Sequence, residues 1–312
     1  YTHNIVFDSD QFEAIGFNPF NVIRAMVAAG LTRPQLKPPQ SLPPIELEVE
    51  DELSSGTPRL PARLNTTFRC LALDRVLGGD DVVLDVPDGW IVAAEAVLLG
   101  LPGERREDVS FSAGLRFSTG RKHRLQVLHD DKRVVRNRVA GSRTEFIDTA
   151  KDATAAAPET AWIDFVERHW RSGDFKTLIR RTSRRFAGVG ATDLEQIGAL
   201  FNLIDSVAEL SSPRLVELTA AQLRAKQNWL NPDIAAEFVD RSKATLLQRC
   251  AAGPPSEWET IWRQLLRVWR ESADGTKFAQ PVLRAVIKSA SVHDPLAAAQ
   301  AGLDLTRDIP KD

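Results

Sequence analysis

Cysteine is nearly absent: Cys70 and Cys250 are the only two in 312 residues, far apart and outside any CxxC pair. That excludes a disulfide framework and a thiolate zinc site, and both are expected to be ordinary buried thiols. Long apolar runs are missing too. The longest, such as "IVAAEAVLLGL", reach about half of the roughly 20 residues a membrane span requires, and no charged-then-apolar signal segment opens the chain. A cytoplasmic protein with no membrane contact is expected.

Catalytic and nucleotide-binding motifs are equally scarce. "GVGA" at Gly188–Ala191 has no following GK[ST], no third glycine at the required spacing and no preceding strand, so it reads as a helix stop beside the next helix start. No Ser, His and acid, and no Cys and His, are spaced as a triad. His123 and His129 stand six residues apart, about 20 Å along a strand, too far to share a metal. His169, flanked by Trp and Phe, reads as a core histidine. No metal and no cofactor are expected.

What is present is a folded composition, 43% hydrophobic and 26% charged, with an uneven charge map. Residues 1–114 hold 9 basic and 17 acidic side chains, residues 115–190 hold 17 and 9, and residues 191–312 hold 14 and 16. The basic charge is therefore concentrated in the middle quarter. Arg outnumbers Lys 30 to 10, which suits bidentate phosphate contacts and equally suits a GC-rich genome.

The patterning predicts an α+β chain. Residues 1–31 read as a small strand-helix element, with "NIVF" as strand, Asn18 as N-cap, Pro19 at N1 and Gly30 as the stop. Residues 32–59 read as a linker, with five prolines in "TRPQLKPPQSLPP" and then the acidic "ELEVEDEL". Short alternating runs between turn signals predict a β-rich domain over 60–150, a sandwich or barrel, in which "WIVAAEAVLL" is open to either strand or helix. From 158 to 312 a 3.6-residue period predicts an all-α helical bundle of six to eight helices. Helix starts are written at Thr192 with Glu195, Ser212-Pro213, Asn231-Pro232 and Ser256 with Glu259. The start at Tyr1 and an end without a terminating element suggest a processed chain or a piece of a larger one.

The candidate site lies in the basic quarter. If "DVSFSAGLRFS", "HRLQVLH" and "RVVRNRV" pair as antiparallel strands, alternation gathers Arg116, Arg124, Arg136 and Arg138 on one sheet face, with Asp130 and Asp131 in a turn. Arg121, Lys122, Lys132 and Arg133 flank it. Unshared arginines about 5 Å apart repel, so such a face calls for anions, either phosphates or the acids of "ELEVEDEL". A helix over 174–186 adds Lys176, Arg180, Arg181, Arg184 and Arg185 outside an apolar face at 175, 178, 179, 182 and 186. These thirteen residues form a predicted phosphate-backbone footprint, without the aromatics of a single-strand stacking platform. The leading expectation is a non-enzymatic subunit that binds DNA or RNA within a larger assembly. The alternative is a protein-binding scaffold whose basic region pairs with acidic surfaces and whose helical domain docks a partner. A third, weaker, reading is a metal-dependent enzyme. "FDSD", with Asp8 and Asp10, resembles the aspartate pairs that hold Mg²⁺ in phosphatases and glycosyltransferases, but Gln11 follows the second acid, no α/β pattern surrounds the strand, and an N-capping or turn role fits the aspartates better.

Overall fold

A computed structural model of the chain describes residues 8–31, 46, 66–86, 89–115, 123–128, 135, 137, 139, 144–148, 158–225, 230–253 and 258–308. It divides into two compact units, Tyr1–Glu195 and Gln196–Asp312.

The first unit opens with two short helices, α1 (Ser9–Ala14) and α2 (Pro19–Ala28). Asp8 and Gln11 cap α1 reciprocally: the Asp8 carboxylate accepts from the Gln11 N–H at 2.7 Å, and the Gln11 amide oxygen accepts from the Asp8 N–H at 3.1 Å. Asn18 caps α2 by accepting from the Phe20 N–H at 2.9 Å, Pro19 occupies its start, and Gly30 follows with φ 69°. The predicted strand "NIVF" lies outside the described residues.

Over 66–148 the structure overturns the expected β-sandwich or barrel. "TTFRCLAL" is not a strand but the start of α3 (Thr66–Gly78), and "WIVAAEAVLLG" is α4 (Trp90–Gly100), followed by the short α5 (Gly103–Glu107). Both long helices are buried on several sides, so they show no amphipathic stripe, and short apolar runs of this kind do not reveal their period. Four strands, β1 (Asp81–Asp85), β2 (Phe111–Leu115), β3 (Leu125–Leu128) and β4 (Thr144–Asp148), form one sheet in the order β2-β3-β1-β4, every pair parallel. A parallel sheet must be covered on both faces, which is why "VVL" and "LQVL" are buried at every position. Val82, Leu84, Leu125, Val127 and Ile147 share one face, the side of α3 and α4. Val83, Leu128 and Phe146 share the other, packed against Val135 and Val139.

That packing corrects a second expectation. Val135, Asn137 and Val139 have helical backbone, so "RVVRNRV" is not a third antiparallel strand. Val135 and Val139 are one turn apart and point the same way onto the sheet.

Two further helices complete the unit, α6 (Ala161–Ser172) and α7 (Phe175–Thr182). Thr160 caps α6 through the Ile163 N–H, and the fully buried Trp162 donates its indole N–H to the Gly100 carbonyl at 3.0 Å. The centre of the unit is Arg106. Its guanidinium, almost wholly buried, donates to the carbonyls of Leu101 at 3.0 Å, Leu99 at 2.9 Å and Gly16 at 2.9 Å, and to the hydroxyls of Thr182 at 2.6 Å and Ser183 at 3.3 Å. One side chain thus joins the turn after α1, the end of α4 and the end of α7. Beside it Phe17 sits buried at φ 56°, a left-handed conformation uncommon outside glycine, with its ring against Gly103, where any Cβ would lie 2.6 Å away.

The second unit is helical. After α8 (Ala191–Ser206), which carries the boundary, come α9 (Ser212–Arg224), α10 (Pro232–Ala252), α11 (Trp258–Glu271), α12 (Ala273–His293) and α13 (Pro295–Asp308). Asn231 and Pro232 start α10 as predicted, whereas the cap of α9 is Ser211 rather than Ser212. α11 buries Ile261, Trp262, Leu265 and Val268. Gly275 lets α12 cross directly over the Val268 carbonyl, where a Cβ would collide.

Replacing Arg106 by Met is expected to cost about 3 kcal/mol or more, because several buried carbonyls lose their donor. For a unit of this size that lowers the first thermal transition by about 6–12 °C. A fall below about 2 °C in calorimetry would contradict the role given to Arg106.

Candidate functional site

The predicted basic face does not assemble as drawn. Of its sheet arginines, Arg124 is described. It precedes β3, donates to the Gly79 carbonyl and lies 3.6 Å from the Asp81 carboxylate. Arg116, Arg121, Lys122, Lys132, Arg133, Arg136 and Arg138 lie outside the described residues. With the helical backbone at 135, 137 and 139, the alternation that gathered Arg124, Arg136 and Arg138 on one strand face is lost.

On and just after α7 the geometry separates five basic residues into different roles. Asp174 caps the helix, accepting from the Thr177 N–H at 3.1 Å, directly after Gly173 ends α6 at φ 74°. Phe175, Leu178, Ile179 and Thr182 face inward, which turns Lys176 and Arg180 to solvent one turn apart. Arg181 was expected outside and is instead 1% exposed, its guanidinium over the Phe165 ring at 5.7 Å from the centroid. Its position flanks the apolar face, so the long aliphatic stem follows that face inward. The helix ends at Thr182, short of the predicted 186, and Arg184 is half-buried. Arg185 pairs with Glu13 at 2.6 Å and lies over the Phe17 ring. Its pKa is raised, first by the Glu13 hydrogen bond and charge, then by Glu107 and Asp10. Acids of α1 and α5 thus supply the counter-charge at this point.

The remaining candidates have structural roles. Asp8 is the N-cap of α1, and Asp10 lies in its first turn. His169 is buried edge-on to Phe165 at 4.9 Å, with Nδ1 3.8 Å from Asp174. At "GVGA" the Gly190 N–H donates to Asp193 at 3.1 Å, so this loop caps α8 from its own first turn. Glu195 was expected to cap that same helix. Its carboxylate instead accepts from the Ala161 N–H at 2.8 Å, at the start of α6.

The sequence reading missed the far edge of the sheet. Asp85 and Asp148 end β1 and β4, pair in register across parallel strands and therefore share a face, and both are buried. Gln126 on the adjacent β3 and Ser112 on β2 beyond it, also in register and buried, lie on that face. The carboxyl edge of a parallel sheet is the usual ligand position in open α/β folds. The available signal was an aspartate closing an unbroken apolar run, as in "VVLD" and "FID". Among the described residues no group of three or more His, Cys, Asp or Glu is placed to hold a metal ion.

No protein-family description, curated protein or solved structure matches the chain.

Both cysteines are buried free thiols. Burial, and secondarily the nearby Glu167, pushes Cys70 up to about 12, and burial also raises Cys250. Since the thiolate is the nucleophile, iodoacetamide at pH 8 is expected to leave both unmodified in the native chain and to alkylate both in denaturant. Rapid native labelling of Cys70 would contradict this environment.

Proposed function

We propose that the chain is a non-enzymatic, cytoplasmic adaptor that binds a partner protein through the end of its helical unit. The observation that carries this reading is the exposure of large apolar side chains at the end of α12 and along α13: Val292 is 76%, Leu296 84% and Leu303 58% exposed. Leu296 and Leu303 are seven residues apart, hence on one side of α13, while Ala298 on the same helix is buried. Isolated exposed leucines are ordinary, but three large apolar residues left exposed on two consecutive helices favour an interaction surface there. Covering each would contribute about 1.5–3 kcal/mol before association costs. Two free buried thiols suit a reducing compartment. Among the described residues no helix is long and apolar enough to cross a membrane.

The double substitution Val292→Asp and Leu296→Asp is expected to abolish co-purification of a protein partner that survives nuclease treatment. The melting temperature should stay within about 2 °C, since both residues are already solvated. Retention of the partner by this variant would overturn the reading.

Binding to nucleic acid remains the second reading, supported by Lys176 and Arg180, exposed one turn apart on α7. Two phosphate contacts would give a log–log salt slope of about −1.8 on duplex DNA. Fluorescence anisotropy at 50 mM salt is expected to show binding that Lys176→Glu with Arg180→Glu removes. Absence of binding at that salt would eliminate this reading.

A further inference from the structure

One cleft of the first unit is not accounted for by the roles above, although Glu195 on its wall also accepts from the Ala161 N–H. It has a volume of about 180 Å³ and lies where the C-terminal end of α3 meets the N-terminal ends of α6 and α8. Leu77, Val189 and Leu194 contribute apolar wall, and Asp74, Asp80 and Glu195 contribute carboxylates. The lining guanidinium, Arg75, is already held by Glu145 at 2.8 Å. Burial raises the pKa of Asp74, Arg75 offsets this and Asp80 adds to it.

Two features decide the sign of a ligand. The C-terminal end of α3 presents the negative pole of its dipole, which favours cations. The opposing helix starts could favour anions, but their amides are occupied from within: Thr160 takes the Ile163 N–H, Glu195 the Ala161 N–H, and Asp193 the Gly190 N–H. Size decides the class. The cleft is smaller than the roughly 300–1,000 Å³ of pockets for drug-sized molecules, so it suits a group no larger than a side chain.

We propose that this cleft binds a side-chain-sized organic cation, an alkylammonium or alkylguanidinium whose apolar stem lies against Leu77, Val189 and Leu194 and whose head meets Asp74 and Glu195. The cation is either a free small molecule or the Arg or Lys side chain of another polypeptide. The inference does not depend on the adaptor reading, because it concerns the first unit alone.

The test is calorimetric titration of the full chain at low salt with n-butylguanidinium, with n-butanol as the neutral counterpart. Saturable binding in the millimolar range is expected for the cation and none for the alcohol. Asp74→Asn should weaken it at least about fivefold, and Ala191→Phe, which fills the mouth, should abolish it. Glu217→Gln, at an exposed position of the second unit, should change nothing. Thermal melting verifies that each variant is folded. A short arginine-bearing peptide that binds at least about tenfold tighter than n-butylguanidinium assigns the cation to a polypeptide, and equal affinity assigns it to a free molecule. Equal binding of alcohol and cation, no saturable binding, or full affinity in Asp74→Asn and Ala191→Phe would each overturn the proposal.

Discussion

The first unit depends on the guanidinium of Arg106. A buried cation costs several kcal/mol unless its donors are all used, and here they are spent on carbonyls and hydroxyls from three chain segments distant in sequence. The rigid fork fixes where α4 ends, where α7 ends and how the N-terminal helices dock. Around it other contacts fall into line. Glu95, buried in α4, accepts from Arg24 of α2 at 2.8 Å, and Phe17 holds its left-handed backbone against Gly103. A hydrophobic residue could fill the volume of Arg106 but could not answer several carbonyls at once.

The same logic explains the fate of the basic quarter. Clustered arginines are unfavourable unless anions or aromatic faces share their charge, and within the described residues the protein itself provides these. Asp81 lies by Arg124, Glu13 by Arg185, and the Phe165 ring by Arg181. The two solvent-exposed ion pairs, Asp81–Arg124 and Glu13–Arg185, contribute little to stability. What they change is availability: on α7, Lys176 and Arg180 are the described basic side chains that the fold turns to solvent without a burial role. The large apolar side chains most open to solvent among the described residues, Val292 and Leu296, lie instead at the end of the helical unit.

Helix boundaries with explicit chemistry were readable in advance. Asn18-Pro19 and Asn231-Pro232 carry their signals in residues that act within one or two turns. The region 66–148 was not readable in the same way. A helix buried on most sides and a parallel strand buried on both faces offer the same uniform apolar run, as "WIVAAEAVLLG" and "DVVLD" show, and their identity comes from tertiary cover. The candidate site suffered from the same error. A strand period gathers arginines on one face, whereas positions 135, 137 and 139 are helical, and Arg181 is drawn inward by a neighbour on another helix. Glu195 shows the limit at single-residue scale, since a capping-box spacing cannot reveal that the carboxylate serves a different helix.

The most direct test of the adaptor account is a photo-crosslinking residue placed at position 296 of the full chain in its native cell, with a second at Arg263 on exposed α11 as control. The account expects one discrete crosslinked product from position 296 that contains a second, different protein and is absent from the control. No product, or one containing only a second copy of this chain, would contradict it.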